Sequence, residues 1–172
     1  MADLPMPERY RMTQITDLRR VVEPFSVDEL AIRSGDRISI ASQAEGANVF
    51  LDGNVYAAAV NLVPSRLAPF TGTRWQIRLN DDATWSFLNQ GHAEQMLAGS
   101  ASIVTLGRAA SLNRFDTTRW LMYRDLTGIR LRPCMRTGGW LAVRGGAAVL
   151  AQHDAPVGRS HYWTITPYAA GE

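Results

Sequence analysis

Lysine is absent from this chain of 172 residues, and all 18 basic residues are arginine. This reads as the mark of a GC-rich coding sequence; selection against lysine modification in a translocated effector is the sharper alternative. Cysteine is nearly absent. Cys134 stands alone, so no intrachain disulfide can form, which fits a reducing compartment. No apolar run approaches the 18 or more residues that a membrane-spanning helix needs, so no membrane span is expected. The start, Met1-Ala2-Asp3-Leu4-Pro5, has neither a basic stretch nor an apolar core, so no secretory signal is expected. A cytoplasmic location follows, or export as part of an assembly. The formal charge is only +2 and the arginines are dispersed. Without a basic stripe interleaved with aromatics, nucleic acid is not an expected partner.

Chemistry is scarce as well. No G-x-G-x-x-G or Walker pattern occurs. His92, His153 and His161 fall in predicted turns, and no two have a metal-ligand spacing. His153-Asp154 is a neighbouring pair, but adjacent residues on a strand point to opposite faces. Cys134 follows Pro133 with no cue for activation and reads as structural. Asp81-Asp82, Gly138-Gly139 and Gly145-Gly146 read as turns. No catalytic residue, metal site or cofactor is therefore expected, and the chain reads as a non-enzyme.

Repetition is what the chain does have. Phe70-Thr71-Gly72-Thr73-Arg74-Trp75 returns as Phe115-Asp116-Thr117-Thr118-Arg119-Trp120, and a looser copy ends in Tyr162-Trp163-Thr164-Ile165. The tryptophans are 45 and then 43 residues apart. Leu51, Leu97 and Leu141 repeat upstream, 46 and then 44 apart. A fixed period of this length fixes architecture before anything else.

Each unit holds short apolar runs of alternating polarity, rich in β-branched and aromatic residues, as half-buried strands are. The first unit has runs at 49–51, 60–63, 75–79 and 84–88; the second at 95–97, 103–106, 120–123 and 129–132. The third has 140–143, 148–151 and 163–165, and lacks its fourth run. Arg37-Ile38-Ser39-Ile40 is its substitute: Ile40 precedes Leu51 by 11 residues, as Phe87 and Leu131 precede Leu97 and Leu141 by 10. A first strand that closes the third unit leaves no open seam.

The expected fold class is all-β: three four-strand repeats, twelve strands. This resembles a β-trefoil over about residues 36–166; a propeller of three blades would be too small. The expected organisation is an N-terminal extension over 1–35, the trefoil over 36–168 and a tail over 169–172. The extension carries a Ser26-to-Glu29 capping-box spacing and isolated apolar residues Val21, Val22 and Phe25. It is either a strap across the barrel or an arm docking on a protein partner through residues 1–34.

Many β-trefoils resemble the ricin B-chain lectin family, which carries a Q-x-W motif in each repeat. Its sugar pockets use an Asp after the first strand, an amide on the second and an aromatic platform beyond. The resemblance implies carbohydrate recognition, with a glycan or polysaccharide as partner. In the first repeat, Asp52 stands at the Asp position and Asn61 at the amide, with Asn54 beside Asp52. Arg66 lies in the loop where a polar residue often helps. Val63 holds the platform position, and Tyr56 could supply the ring from a neighbouring loop. Asp52-Gly53-Asn54 also reads as a plain turn. The Q-x-W glutamine is replaced by Thr73, Thr118 and His161, and the Asp by Ala98 and Ala142, so only one pocket is expected to survive. The rival class is a structural or adaptor subunit of a bacterial or phage-like assembly, anchored by the N-terminal arm. A trefoil protease inhibitor is a third class, with no loop distinctive enough to nominate.

Overall fold

The computed structural model describes residues 13–14, 32–44, 49–54, 59–67, 69–91, 95–108, 117–125, 127–134, 139–152 and 158–172. Among these, every extended element is a strand and the remaining helical element is one 3-10 turn at Arg159–His161. The strands are β1 (Thr13–Gln14), β2 (Arg37–Ser42), β3 (Phe50–Asn54), β4 (Ala59–Val63), β5 (Trp75–Leu79), β6 (Trp85–Asn89), β7 (Gln95–Ser100), β8 (Ile103–Arg108), β9 (Trp120–Arg124), β10 (Ile129–Pro133), β11 (Trp140–Arg144), β12 (Ala147–Ala151) and β13 (Trp163–Pro167).

Six strands close into a ring. β2 pairs with β5, β5 with β6, β6 with β9, β9 with β10, β10 with β13, and β13 returns to β2. The remaining hairpins, β3–β4, β7–β8 and β11–β12, join one another through β4–β8 and β8–β12 and cap the barrel. This is a β-trefoil. The expected substitute strand does close the third unit, with Ile40 opposite Ile165 in the β2–β13 ladder.

The threefold repeat is physical. Trp75, Trp120 and Trp163 are each 0 % exposed, as are Leu51, Leu97 and Leu141. Each indole Nε1–H donates to the backbone carbonyl of its own unit's leucine: Trp75 to Leu51 at 3.1 Å, Trp120 to Leu97 at 3.0 Å, Trp163 to Leu141 at 2.9 Å. A buried indole needs a partner for its one donor, and the same strand supplies it three times. Ile40, Phe87 and Leu131 form another buried layer in the same core.

Turn chemistry follows the residues. Gly145 and Gly146 have φ of +58° and +76° and join β11 to β12 in two residues, as a type I′ turn requires. The expected turn at Asp81-Asp82 is present, closed by Ala83 N–H to Asn80 O, and the hairpin after Asp125 is closed by Asp125 N–H to Gly128 O.

Two features of the extension are visible. Thr13–Gln14 pairs antiparallel with Arg124 and Tyr123 of β9, so the chain touches its own barrel there. Ile32, counted with the extension on sequence, is 2 % exposed and packs in the main core. The capping-box segment, Val21, Val22 and Phe25 lie outside the described residues.

Candidate functional site

The first-repeat candidates begin with a register. Asp52 of β3 lies directly opposite Asn61 of β4, and Asn54 opposite Ala59. Cross-strand partners project from the same face of a sheet. Leu51 and Gly53 are buried while Asp52 is half-buried and Asn61 exposed, so the Asp52–Asn61 pair faces outward. The carboxylate and the amide thus stand side by side.

Asp52-Gly53-Asn54 is strand, not turn. The glycine is required by a close approach rather than by a bend. A Cβ on Gly53 would come within 2.3 Å of the Asn89 amide nitrogen. That amide donates to Gly72 O at 2.8 Å, and Gly53 N–H donates to the same carbonyl at 2.9 Å. Gly72 in turn has no room for a side chain: a Cβ there would lie 2.7 Å from Asp52 Oδ1 and 2.3 Å from Gly53 O. The 70–74 loop therefore walls one side of the Asp52 carboxylate.

The other two repeats show what is lost. In the same register Ala98 faces Thr105 and Ala142 faces Val149. The carboxylate is missing from both, and the third unit has no polar group in either place. A cavity of about 740 Å³ does open beside the third pair, lined in part by Ala142, Val149, Ala151, Gln152, Ser160 and His161. It carries no carboxylate among its lining residues.

Arg66 is engaged away from the outward-facing pair. Its guanidinium donates to Pro167 O at 3.3 Å, pairs with Glu172 at 3.4 Å and stacks on the Tyr168 ring with 4.8 Å to the centroid. It ties down the C-terminal segment, a contact that spans about a hundred residues of sequence and that local reading could not find. Tyr56 lies outside the described residues, as do His92 and His153.

His161, in place of the third motif glutamine, is buried, and its Nδ1 accepts Gly158 N–H at 3.3 Å. Burial lowers its pKa below the ordinary value, and the nearby Arg130 charge adds to this. Next to it Tyr162 donates its hydroxyl to the buried Asp125 carboxylate. Burial, followed by that contact, pushes the Tyr162 hydroxyl up to about 12. Arg130 lies 3.9 Å from the Trp140 ring centroid, and burial lowers its pKa too. These groups sit at the seam between the second and third units. Among the described residues no cluster of three or more His, Cys, Asp or Glu could hold a metal, and no helix is long and apolar enough to cross a membrane.

No protein-family model and no curated protein matches the chain. Solved structures do match in fold. SeviL bound to asialo-GM1 saccharide superposes with a TM-score of 0.59 at 16 % identity, over 77 % of this chain and 97 % of that one. A Polyporus squamosus lectin bound to the epitope Neu5Aca2-6Galb1-4GlcNAc gives 0.64 at 16 % identity, over 80 % of this chain and 50 % of that one. An arabinofuranosidase complexed with arabinofuranosyl-alpha-1,2-xylobiose gives 0.63 at 11 % identity, over 78 % of this chain and only 31 % of that one. The shared property is the β-trefoil fold.

Proposed function

We propose that this chain is a carbohydrate-binding module without catalytic activity, with one polar clamp, Asp52 and Asn61, in its first repeat. The observation that carries this reading is the register that sets the two side chains opposite each other on the outer face. A carboxylate accepts from sugar hydroxyls and an amide both donates and accepts, so such a pair can hold two neighbouring hydroxyls. The fold likeness to SeviL and the Polyporus squamosus lectin, both bound to saccharides, supports the same class. The arabinofuranosidase does not argue for catalysis here, because this chain matches under a third of it.

The test is a glycan array followed by calorimetry on the best hit. Asp52→Ala and Asn61→Ala should each weaken binding by about 1–3 kcal/mol, the cost of stranding a polar partner. Ala98→Ser and Ala142→Ser should change nothing. An array without hits, on protein shown to be folded, would transfer the function to the adaptor class, as would sugar binding indifferent to Asp52→Ala.

A further inference from the structure

A second concave site borders the 70–74 loop. It is a cavity of about 340 Å³ lined by Arg37, Phe70, Thr71, Arg74, Gln90 and Gly91. The fold assembles it from three places: the start of β2, the loop before β5 and the turn after β6. The β2–β5 ladder sets Arg37 opposite Gln76, two residues from Arg74. Gln90 N–H donates to Arg74 O at 2.8 Å, which fixes the third wall.

Among the described residues neither Arg37 nor Arg74 has a carboxylate partner. Glu172 is held by Arg66 and by Ala169 N–H at 2.8 Å, and Asp36 accepts Arg33 N–H at 2.7 Å. Arg74 is also held in place. Its guanidinium lies 5.1 Å from the Tyr168 ring centroid, and Tyr168 is itself fixed by its hydroxyl, which donates to Arg66 O at 2.9 Å. Stacking on an aromatic face orients a guanidinium without neutralising it.

Two guanidiniums with no carboxylate partner among the described residues can take an anionic group with charge-assisted hydrogen bonds. Phe70 adds an apolar face, and Thr71 and Gln90 add a hydroxyl and an amide. The volume suits one small ring rather than a polymer backbone, and the dispersed arginines elsewhere offer no track for a polyphosphate chain. We propose that this cavity binds an acidic saccharide residue. Its carboxylate lies between Arg37 and Arg74, its ring face meets Phe70, and its hydroxyls reach Thr71 and Gln90. The site shares no residue with the Asp52–Asn61 pair, so the two readings fail separately.

The experiment is titration calorimetry with trigalacturonate, its neutral methyl ester, sialyllactose, lactose and inorganic phosphate. Trigalacturonate and sialyllactose distinguish a uronic from a sialic carboxylate, and binding of either supports the site. Arg37→Gln should weaken that binding about tenfold or more, as loss of a charge-assisted contact does. Arg37 is exposed, so the variant should keep its melting temperature. The methyl ester, or lactose in the sialyl case, should bind at least about tenfold more weakly than the acid. Equal affinity for the neutral probes, or indifference to Arg37→Gln, would overturn the proposal. Inorganic phosphate displacing the saccharide at equal concentration would overturn it too, since the site would then be a plain anion site.

Discussion

Replacing Trp120 by Phe removes one hydrogen-bond donor and a few ring atoms from a fully buried position. The indole Nε1–H reaches Leu97 O at 3.0 Å, and both residues are 0 % exposed. Taking the partner from a buried carbonyl costs about 1–3 kcal/mol. The lost ring atoms add about 1 kcal/mol as unfilled space. Trp120→Phe should therefore destabilise by about 2–4 kcal/mol, and Trp120→Ala by about 3–5 kcal/mol, the range for truncating a core aromatic. In a chain of this size each 1 kcal/mol moves the melting temperature by about 2–4 °C. The threefold arrangement sharpens the test. Trp75→Phe and Trp163→Phe remove the same bond, to Leu51 O and Leu141 O. The three single Phe variants should fall within about 1 kcal/mol of one another, since each loses one equivalent hydrogen bond. Urea denaturation with a common slope is the assay. One variant of wild-type stability, beside two that are destabilised, would refute the claim that the three indole bonds are equivalent supports.

Further outcomes follow from single positions. His161 has a lowered pKa, so as pH falls through its ordinary value of 6.5 the unfolded chain takes up a proton that the folded chain refuses. Stability should drop between about pH 7 and pH 5, and His161→Gln should flatten that part of the curve; thermal melts across the range decide. Tyr162 titrates at about 12 against 10.0 when unperturbed, so the stability it contributes is present below pH 10 and lost as pH rises towards 12. Tyr162→Phe should abolish that alkaline loss while lowering stability at neutral pH, because the buried Asp125 carboxylate loses its hydroxyl donor; an ultraviolet pH titration alongside melting checks both. A Cβ on Gly139 would lie 1.8 Å from Ala151 O, whereas one on Gly158 meets nothing within 4 Å. Gly139→Ala should prevent folding and Gly158→Ala should melt as wild type does; a folded Gly139→Ala would show that the approach of β11 to β12 can relax.

What could be read from the residues divides along the range of the forces involved. The tryptophans and leucines recur because each unit solves the same local problem, a buried indole donor answered by the carbonyl of a leucine 22 to 24 residues earlier. A repeated solution shows in a single sequence, and so did the missing fourth strand, whose place Arg37–Ser42 takes. Gly145–Gly146 was legible for the same reason, since a two-residue turn with both φ positive names its own residues. The errors concern partners far apart in the chain. Gly53 looked like turn chemistry, but it is small because Asn89 packs on it. Arg66 looked like a helper of Asp52, but its guanidinium is drawn to Pro167, Tyr168 and Glu172. The Arg37–Arg74 cavity left no local trace, because only the closure of β2 onto β5 makes those side chains neighbours. The Asp52–Asn61 pair was legible because one hairpin, β3–β4, carries both residues, whereas the Arg37–Arg74 cavity draws on β2, the loop before β5 and the turn after β6. The repeated core is therefore written three times in the sequence, while the Arg37–Arg74 cavity is written once, in pieces that only the closed barrel brings together.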